Sequence, residues 1–316
     1  YVAHGLVLGR RGMVVRWNAA LLAGLTLLAL GLVASLAWGR QISTAVRMVG
    51  AYRAARSFQA SYPHLDRDVA FDPDMDPRLD VYWPATGEGH PVLFFVHGGS
   101  WKDYDKNLFA PVAMKLVPEG MVVVIPDYTL YPDARYEQMA GEVAAALHWT
   151  LENIESYGGD PQRVVVVGHS AGAHLASLAL LDERYLGVYG RNAAELCGLV
   201  GMSGVYDVQA EYDYYLARGV VPELIVDVVG GLQNLAKASP VRYVRPDLPP
   251  VLLIHGTEDE TVPPAISEEF HAALEQAGAV SRLELLAGAA HSDYLLDALG
   301  RERAPLVGEL ASFAAQ

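Results

Sequence analysis

A serine between two glycines, where an apolar run gives way to a helix-compatible one, is the residue in this chain best placed to act as a nucleophile. Arg163 to Ser177 reads RVVVVGHSAGAHLAS. Val164 to Val167 is a short run of β-branched residues, the mark of a buried strand. Gly168-His169-Ser170-Ala171-Gly172 follows, and Ala173-His174-Leu175-Ala176 then suits a helix. G-x-S-x-G gains meaning from this strand–turn–helix setting. A nucleophile on a tight elbow needs neighbours without bulk, which accounts for glycine on both sides. The helix start aims its dipole and free N–H groups at Ser170, where negative charge develops in acyl transfer. The competing reading is a bystander serine in an ordinary Gly-rich turn.

A serine hydroxyl is a weak nucleophile near neutral pH, so it needs a base, and the base needs an orienting acid. The apolar run Val251-Leu252-Leu253-Ile254 leads into His255-Gly256-Thr257-Glu258-Asp259. A carboxylate there faces the sheet edge where active sites of open α/β sheets collect. Asp259 is the first choice, with Glu258 and Glu260 as alternatives. His291, in Gly288-Ala289-Ala290-His291-Ser292-Asp293, supplies a loop histidine after the acid. His169 and His174 lie too close in sequence to approach Ser170 from the required direction, and His174 reads as a helix-packing residue. His97 and His255 each end a strand before glycine and read as loop braces. The run His97-Gly98-Gly99-Ser100-Trp101 has two glycines whose backbone N–H groups can approach a ligand closely. The oxyanion of a tetrahedral intermediate is expected on the Ala171 N–H together with Gly99 and Gly98 or Ser100. Trp101, His169, Tyr214 and Tyr215 are the candidate substrate contacts.

The elements that must carry these residues alternate. Strands are expected at 79–83, 91–96, 121–125, 164–167, 196–202, 251–255 and 282–286, and helices at 138–157 and 266–276. Such alternation predicts an α/β fold, a mainly parallel sheet with helices on both faces. The acidic stretch Asp66 to Asp80 reads as a solvated turn. A calcium loop starting at Asp72 would need glycine and glutamate where Pro77 and Trp83 stand. Residues 204–240 form a longer connection than a crossover requires. Its tyrosines Tyr206, Tyr212, Tyr214 and Tyr215 suit a cap over the nucleophile, though a plain crossover helix packed on the sheet accounts for them nearly as well.

The chain has 316 residues and a formal net charge of −14, so no basic stripe is available for nucleic acid. Cys197 is the only cysteine, which excludes a disulfide framework and a thiolate metal site. No metal or organic cofactor is expected, and nothing bears on oligomeric state. Residues 1–18 read as a tail, and Met13 offers a start that would leave residues 1–12 outside the native chain. Residues 19–38 are uncharged, bracketed by Trp17 and Trp38, and long enough to span a bilayer as an N-terminal transmembrane helix. This predicts a single-pass membrane anchor of undetermined side. Export after cleavage near Ser35-Leu36-Ala37 is the alternative. Residues 39–64 follow as a juxtamembrane linker, with a short amphipathic helix over 41–57, and residues 65–316 as the catalytic domain.

HGGSW, Pro126-Asp127-Tyr128, YGGDPQRVVVVGHSAGAHLA, LPPVLLIHGTEDETVP and GAAHSDY together resemble the α/β-hydrolase esterase superfamily over residues 65–316. The branch they most resemble is that of isoprenylcysteine methylesterases and kynurenine formamidases. The chain order Ser170…Asp259…His291 is the α/β-hydrolase order. The resemblance implies a serine hydrolase acting on small-molecule carboxylic esters, with these three residues as triad. An arylformamidase is the alternative, and a catalytically silent binding protein a remote one. One departure is Tyr104, because many relatives with this loop carry glycine three residues after the tryptophan.

Overall fold

In the computed structural model the described residues are 46, 49–295, 308, 310 and 313. The chain divides into two compact units, 1–49 and 50–316. The expected span at 19–38 lies outside the described residues. Among the described residues, no helix is long and apolar enough to cross a membrane.

The second unit opens with helix α1 over residues 50–61, so the described part of the expected juxtamembrane helix continues past 57. Ala55 on it is fully buried, and Phe58 stacks on Tyr62 at 4.6 Å. Among the described residues there are eight strands, β1 (Leu65–Ala70), β2 (Arg78–Tyr82), β3 (His90–Val96), β4 (Val122–Pro126), β5 (Gly159–His169), β6 (Gly198–Met202), β7 (Val251–Gly256) and β8 (Ser281–Leu286). They form one sheet in the order β1-β2-β4-β3-β5-β6-β7-β8. The β1–β2 and β2–β4 pairs are antiparallel, and every pairing from β4 through β8 is parallel. Strand β5, which leads into Ser170, is therefore central. Its valines alternate between the two faces as strand geometry requires. Val164 and Val166 join the core under α3 (Tyr136–Asn153) and α4 (Ala171–Leu181), while Val165 and Val167 face α2 (Lys106–Leu116). Both faces are covered, which keeps all four valines at 0% exposure.

Two elements depart from the sequence-based expectation. The stretch read as a turn from Asp66 contains β1, an edge strand whose exposed, acidic residues lack a hydrophobic alternation. A register shift between Asp66 and Val69, with Asp68 at φ 55°, further disguises it. Helix α2 was not expected because Pro111 stands inside it. The side chain of Asp105 caps its start by accepting from the Asn107 amide at 3.0 Å.

Between β6 and β7 the chain forms α6 (Val208–Ala217) and α7 (Glu223–Val229). Helix α5 (Glu183–Leu186) follows α4, and α8 (Ala265–Gln276) precedes β8.

Candidate active site

Ser170 sits between β5 and α4 at φ 54° and ψ −123°, a conformation L-residues rarely adopt. Its amide donates to the Met202 carbonyl of β6 at 2.8 Å, which fixes the elbow against the next strand. The flanking glycines are there for space. A Cβ on Gly172 would lie 2.2 Å from the Val96 carbonyl, and one on Gly168 would lie 2.5 Å from the Ala173 Cα. Strand, elbow and helix can approach this closely only without side chains at those positions.

His291 reaches the elbow from the loop after β8. Its Nε2 lies 2.9 Å from the Ser170 Oγ and its Nδ1 lies 2.7 Å from the Asp259 Oδ2. A carboxylate beside Nδ1 places the ring proton there, leaving Nε2 to accept from the serine hydroxyl. The loop reaches this position because Gly256 clears its path: a Cβ there would lie 2.2 Å from the Ala289 carbonyl. The Glu258 amide then donates to that carbonyl at 3.0 Å.

Asp259 is 4% exposed, whereas Glu258 and Glu260 are exposed. Its Oδ1 accepts from the amides of Thr261 and Val262, both at 2.9 Å. The buried His255 places its Nε2 3.1 Å from Oδ2 and 2.9 Å from the Val262 carbonyl, and its Nδ1 2.6 Å from the Ser267 Oγ. Burial by itself would raise the Asp259 carboxyl. Hydrogen bonds from His255 and His291, the His291 charge and the Val262 amide outweigh it and hold the group well below the usual carboxylate range. His255 thus braces the acid itself as well as its loop.

The HGG loop lies across the elbow. A Cβ on Gly98 would meet the His169 carbonyl at 2.8 Å and the Ser170 Cβ at 3.1 Å, so the loop backbone rests directly on Ser170. The Pro126-Asp127-Tyr128 motif holds it there. Tyr128 donates to the His97 carbonyl at 3.0 Å, and Asp127 accepts from the Lys106 amide at 2.6 Å and its ammonium at 3.1 Å. Tyr104, the departure noted in the sequence, keeps φ 74° with a half-exposed side chain. The loop retains a glycine-like backbone without a glycine.

His169 and His174 both serve the surroundings of Ser170 rather than its proton. His169 sets its Nε2 3.2 Å from the His291 carbonyl, and burial, followed by the His291 charge, pushes it down to about 3. It therefore donates as a neutral ring and supports the His291 loop from below. The Trp101 indole donates to the His174 Nδ1 at 3.1 Å, leaving its Nε2 to donate to the Ala238 carbonyl at 2.8 Å. Burial lowers His174 to about 4, so this link also stays neutral. It joins the HGG loop, α4 and the end of the 204–240 segment, a span wider than the helix packing its sequence position indicates.

Beside Ser170 lies a cavity of about 150 Å³. Ser100, Trp101, Ser170 and Ala171 line one side. Glu211 and Tyr215 of α6, with Leu224 and Ile225 of α7, line the other. Tyr215 donates to the Thr261 carbonyl at 2.8 Å and Tyr214 to the Glu260 carbonyl at 3.2 Å, tying α6 to the acid loop. Among the four candidate contacts, Trp101 and Tyr215 line the cavity, while Tyr214 lies under the Arg218 guanidinium at 3.6 Å and His169 lies beneath the His291 loop. Glu211 was not anticipated. Its signal was helical spacing: Val208, Glu211 and Tyr215 fall at i, i+3 and i+7, which puts a carboxylate on the inward face of α6.

A central parallel sheet with a serine elbow, a histidine loop and an acid loop at one edge defines the α/β-hydrolase fold. Solved structures agree. The thermophilic esterase Est2 of Thermogutta terrifontis superposes with a TM-score of 0.63 over 80% of this chain and 91% of its own, at 24% identity. Residues 79–274 match the family model BD-FAE, and the chain belongs to that family. A probable isoprenylcysteine α-carbonyl methylesterase of Oryza sativa subsp. japonica is 33% identical over 261 residues, covering 78% of this chain and 61% of the relative. Esterase LipQ of Mycobacterium tuberculosis is 34% identical over 285 residues, covering 82% and 66% respectively. The chain thus spans between three fifths and two thirds of the length of these curated relatives.

Proposed function

We propose that this chain is a serine carboxylic ester hydrolase with Ser170, His291 and Asp259 as its catalytic residues. The observation that carries the reading is the relay Ser170 Oγ–His291–Asp259, at 2.9 and 2.7 Å, opening on a cavity beside a glycine loop. The names of its relatives, methylesterase and esterase, support the same class. His291 Nε2 takes the hydroxyl proton as Ser170 Oγ attacks the ester carbon. Asp259 holds the imidazolium that forms, and the N–H groups of Ala171 and Gly99, with Gly98 or Ser100, receive the oxyanion. His291 then protonates the departing alkoxide, and a water activated by the same nitrogen releases the acid. The small cavity suits a short acyl or alkoxy arm.

Turnover of p-nitrophenyl butyrate should fall by about 10³-fold or more in Ser170→Ala and in His291→Ala, with little further loss in the double variant, as for residues acting as one unit. A Ser170→Ala preparation with near-normal turnover would remove Ser170 from the reaction.

We also propose that residues 19–38 anchor the protein in a membrane, on the strength of their uncharged, tryptophan-bracketed run. The protein should stay in the membrane fraction through a carbonate wash. A mature chain beginning just after Ala37 would establish cleavage and export instead.

A further inference from the structure

Glu211 is 5% exposed, and its Oε2 is buried without a hydrogen-bond partner among the described residues. An orphaned buried carboxyl oxygen costs about 1–3 kcal/mol or more, and such groups are uncommon enough to need a reason. Its location suggests one, because Glu211 lines the same cavity as Ser170, otherwise walled largely by apolar side chains. We propose that Glu211 is a substrate-recognising residue, and that the ester taken by this site carries a hydroxyl group placed to hydrogen-bond with its carboxyl. The proposal rests on the ester hydrolase reading and names a feature of its substrate.

The protonation state of the carboxyl fits a neutral partner. Burial, and then the charge of Asp259, push it up to about 8, so near neutral pH it is mainly protonated. A carboxylic acid offers one donor and one acceptor, and a hydroxyl answers with one of each. An ammonium partner would have to shed its own water and ionise Glu211 beside Asp259. The desolvation of such a buried pair consumes most of its attraction. A carboxylate partner would meet the negative charge of Asp259.

The test is discrimination between isosteres by purified protein. One pair varies the acyl side, p-nitrophenyl 3-hydroxybutyrate against p-nitrophenyl 3-methylbutyrate. The other varies the alcohol side, 2-hydroxyethyl butyrate against propyl butyrate. The protein should favour the hydroxyl member of at least one pair by about tenfold in kcat/KM, the worth of one good hydrogen bond. Glu211→Gln, which keeps a donor and an acceptor, should retain the preference. Glu211→Leu should reverse it and melt no lower than the parent, since it removes an unsatisfied buried group. Equal rates within both pairs, or a hydroxyl preference that survives in the leucine variant, would overturn the assignment. So would a leucine variant that fails to fold, because the carboxyl would then be holding α6. A stronger preference for p-nitrophenyl 3-aminobutyrate, lost in Glu211→Gln, would replace the hydroxyl by a cation and overturn it too. Cleavage without discrimination removes only this role of Glu211, whereas no cleavage of any ester removes the hydrolase reading itself.

Discussion

Replacing Ser170 with glycine should remove the proposed nucleophile and yet leave the protein more stable than the alanine variant. The reason is backbone strain at φ 54° and ψ −123°, which the surroundings enforce. The Ser170 amide is held by the Met202 carbonyl at 2.8 Å, α4 begins at the next residue, and the HGG backbone lies against the Ser170 Cβ. A side chain held in such a region costs about 1–3 kcal/mol. Alanine keeps the Cβ and so keeps the strain, whereas glycine sheds it. Both variants lose the 2.9 Å contact with His291, so that loss cancels in the comparison. Glycine adds freedom to the unfolded chain, worth about 0.5–1 kcal/mol against it. Taking the middle of each range, the glycine variant should exceed alanine by about 1 kcal/mol, or roughly 2–4 °C in Tm for a domain of this size. Urea and thermal unfolding of the two variants, both checked for lost ester hydrolysis, measure this directly. An alanine variant as stable as the glycine one would refute the idea that the elbow stores strain.

The same logic applies to Tyr104, whose φ of 74° is borne by an exposed side chain. Tyr104→Gly should be more stable than Tyr104→Ala by about 1 kcal/mol in urea unfolding, and equal stabilities would show that the loop relaxes. Acid should weaken the fold through His169 and His174, whose folded values of about 3 and about 4 lie below the unfolded value near 6.5. As pH falls below about 6.5 the unfolded chain binds two protons that the fold refuses, so these groups lower stability by about 2.7 kcal/mol per pH unit until their folded values are approached. Glu211, raised to about 8, works the other way between its folded value and an unfolded value near 4.3, and leaves a net loss of about 1.4 kcal/mol per unit over pH 4.5–6.5. His174→Gln should flatten that slope in urea titrations, and an unchanged slope would mean that His174 is not held neutral.

Much of this molecule was readable in its residues, for identifiable reasons. The four valines of β5 and the glycines around Ser170 are demanded by burial and close approach, so they leave a local mark. The apolar runs of the inner parallel strands β3 to β7 are buried on both faces and stand out for that reason, whereas β8 at the sheet edge carries Arg282 and Glu284. What escaped was set by tertiary contact. β1 is exposed on the sheet edge and carries no alternation, so its pairing with β2 is invisible until β2 is placed. Helix α2 is packed under the sheet although Pro111 argues against it locally, a case of burial overruling propensity. His255 likewise reads as a loop brace in sequence. Its approach to Asp259 at 3.1 Å depends on a turn that returns the chain onto its own strand end.

The 204–240 segment brings these two kinds of information together. Its sequence shows tyrosines and an apolar run, which suit a cap and, nearly as well, a plain crossover helix. In the structure Tyr214 and Tyr215 both donate to backbone carbonyls, one and two residues beyond Asp259. Helix α6 is thereby fixed to the loop that carries the acid, and Glu211, four residues before Tyr215, is carried on the same helix into the cavity beside Ser170. At its far end the segment meets His174 through the Ala238 carbonyl, and His174 in turn holds Trp101 of the HGG loop. One crossover therefore touches the Asp259 loop at one end, links through His174 to the glycine loop at the other, and lines the cavity beside Ser170. A change in this segment would alter the wall of the cavity while Ser170, His291 and Asp259 keep their own supports from β5, β7 and the loop after β8. On the proposed reading, a change in α6 or α7 should therefore alter which ester this site takes while the Ser170–His291–Asp259 contacts stay in place.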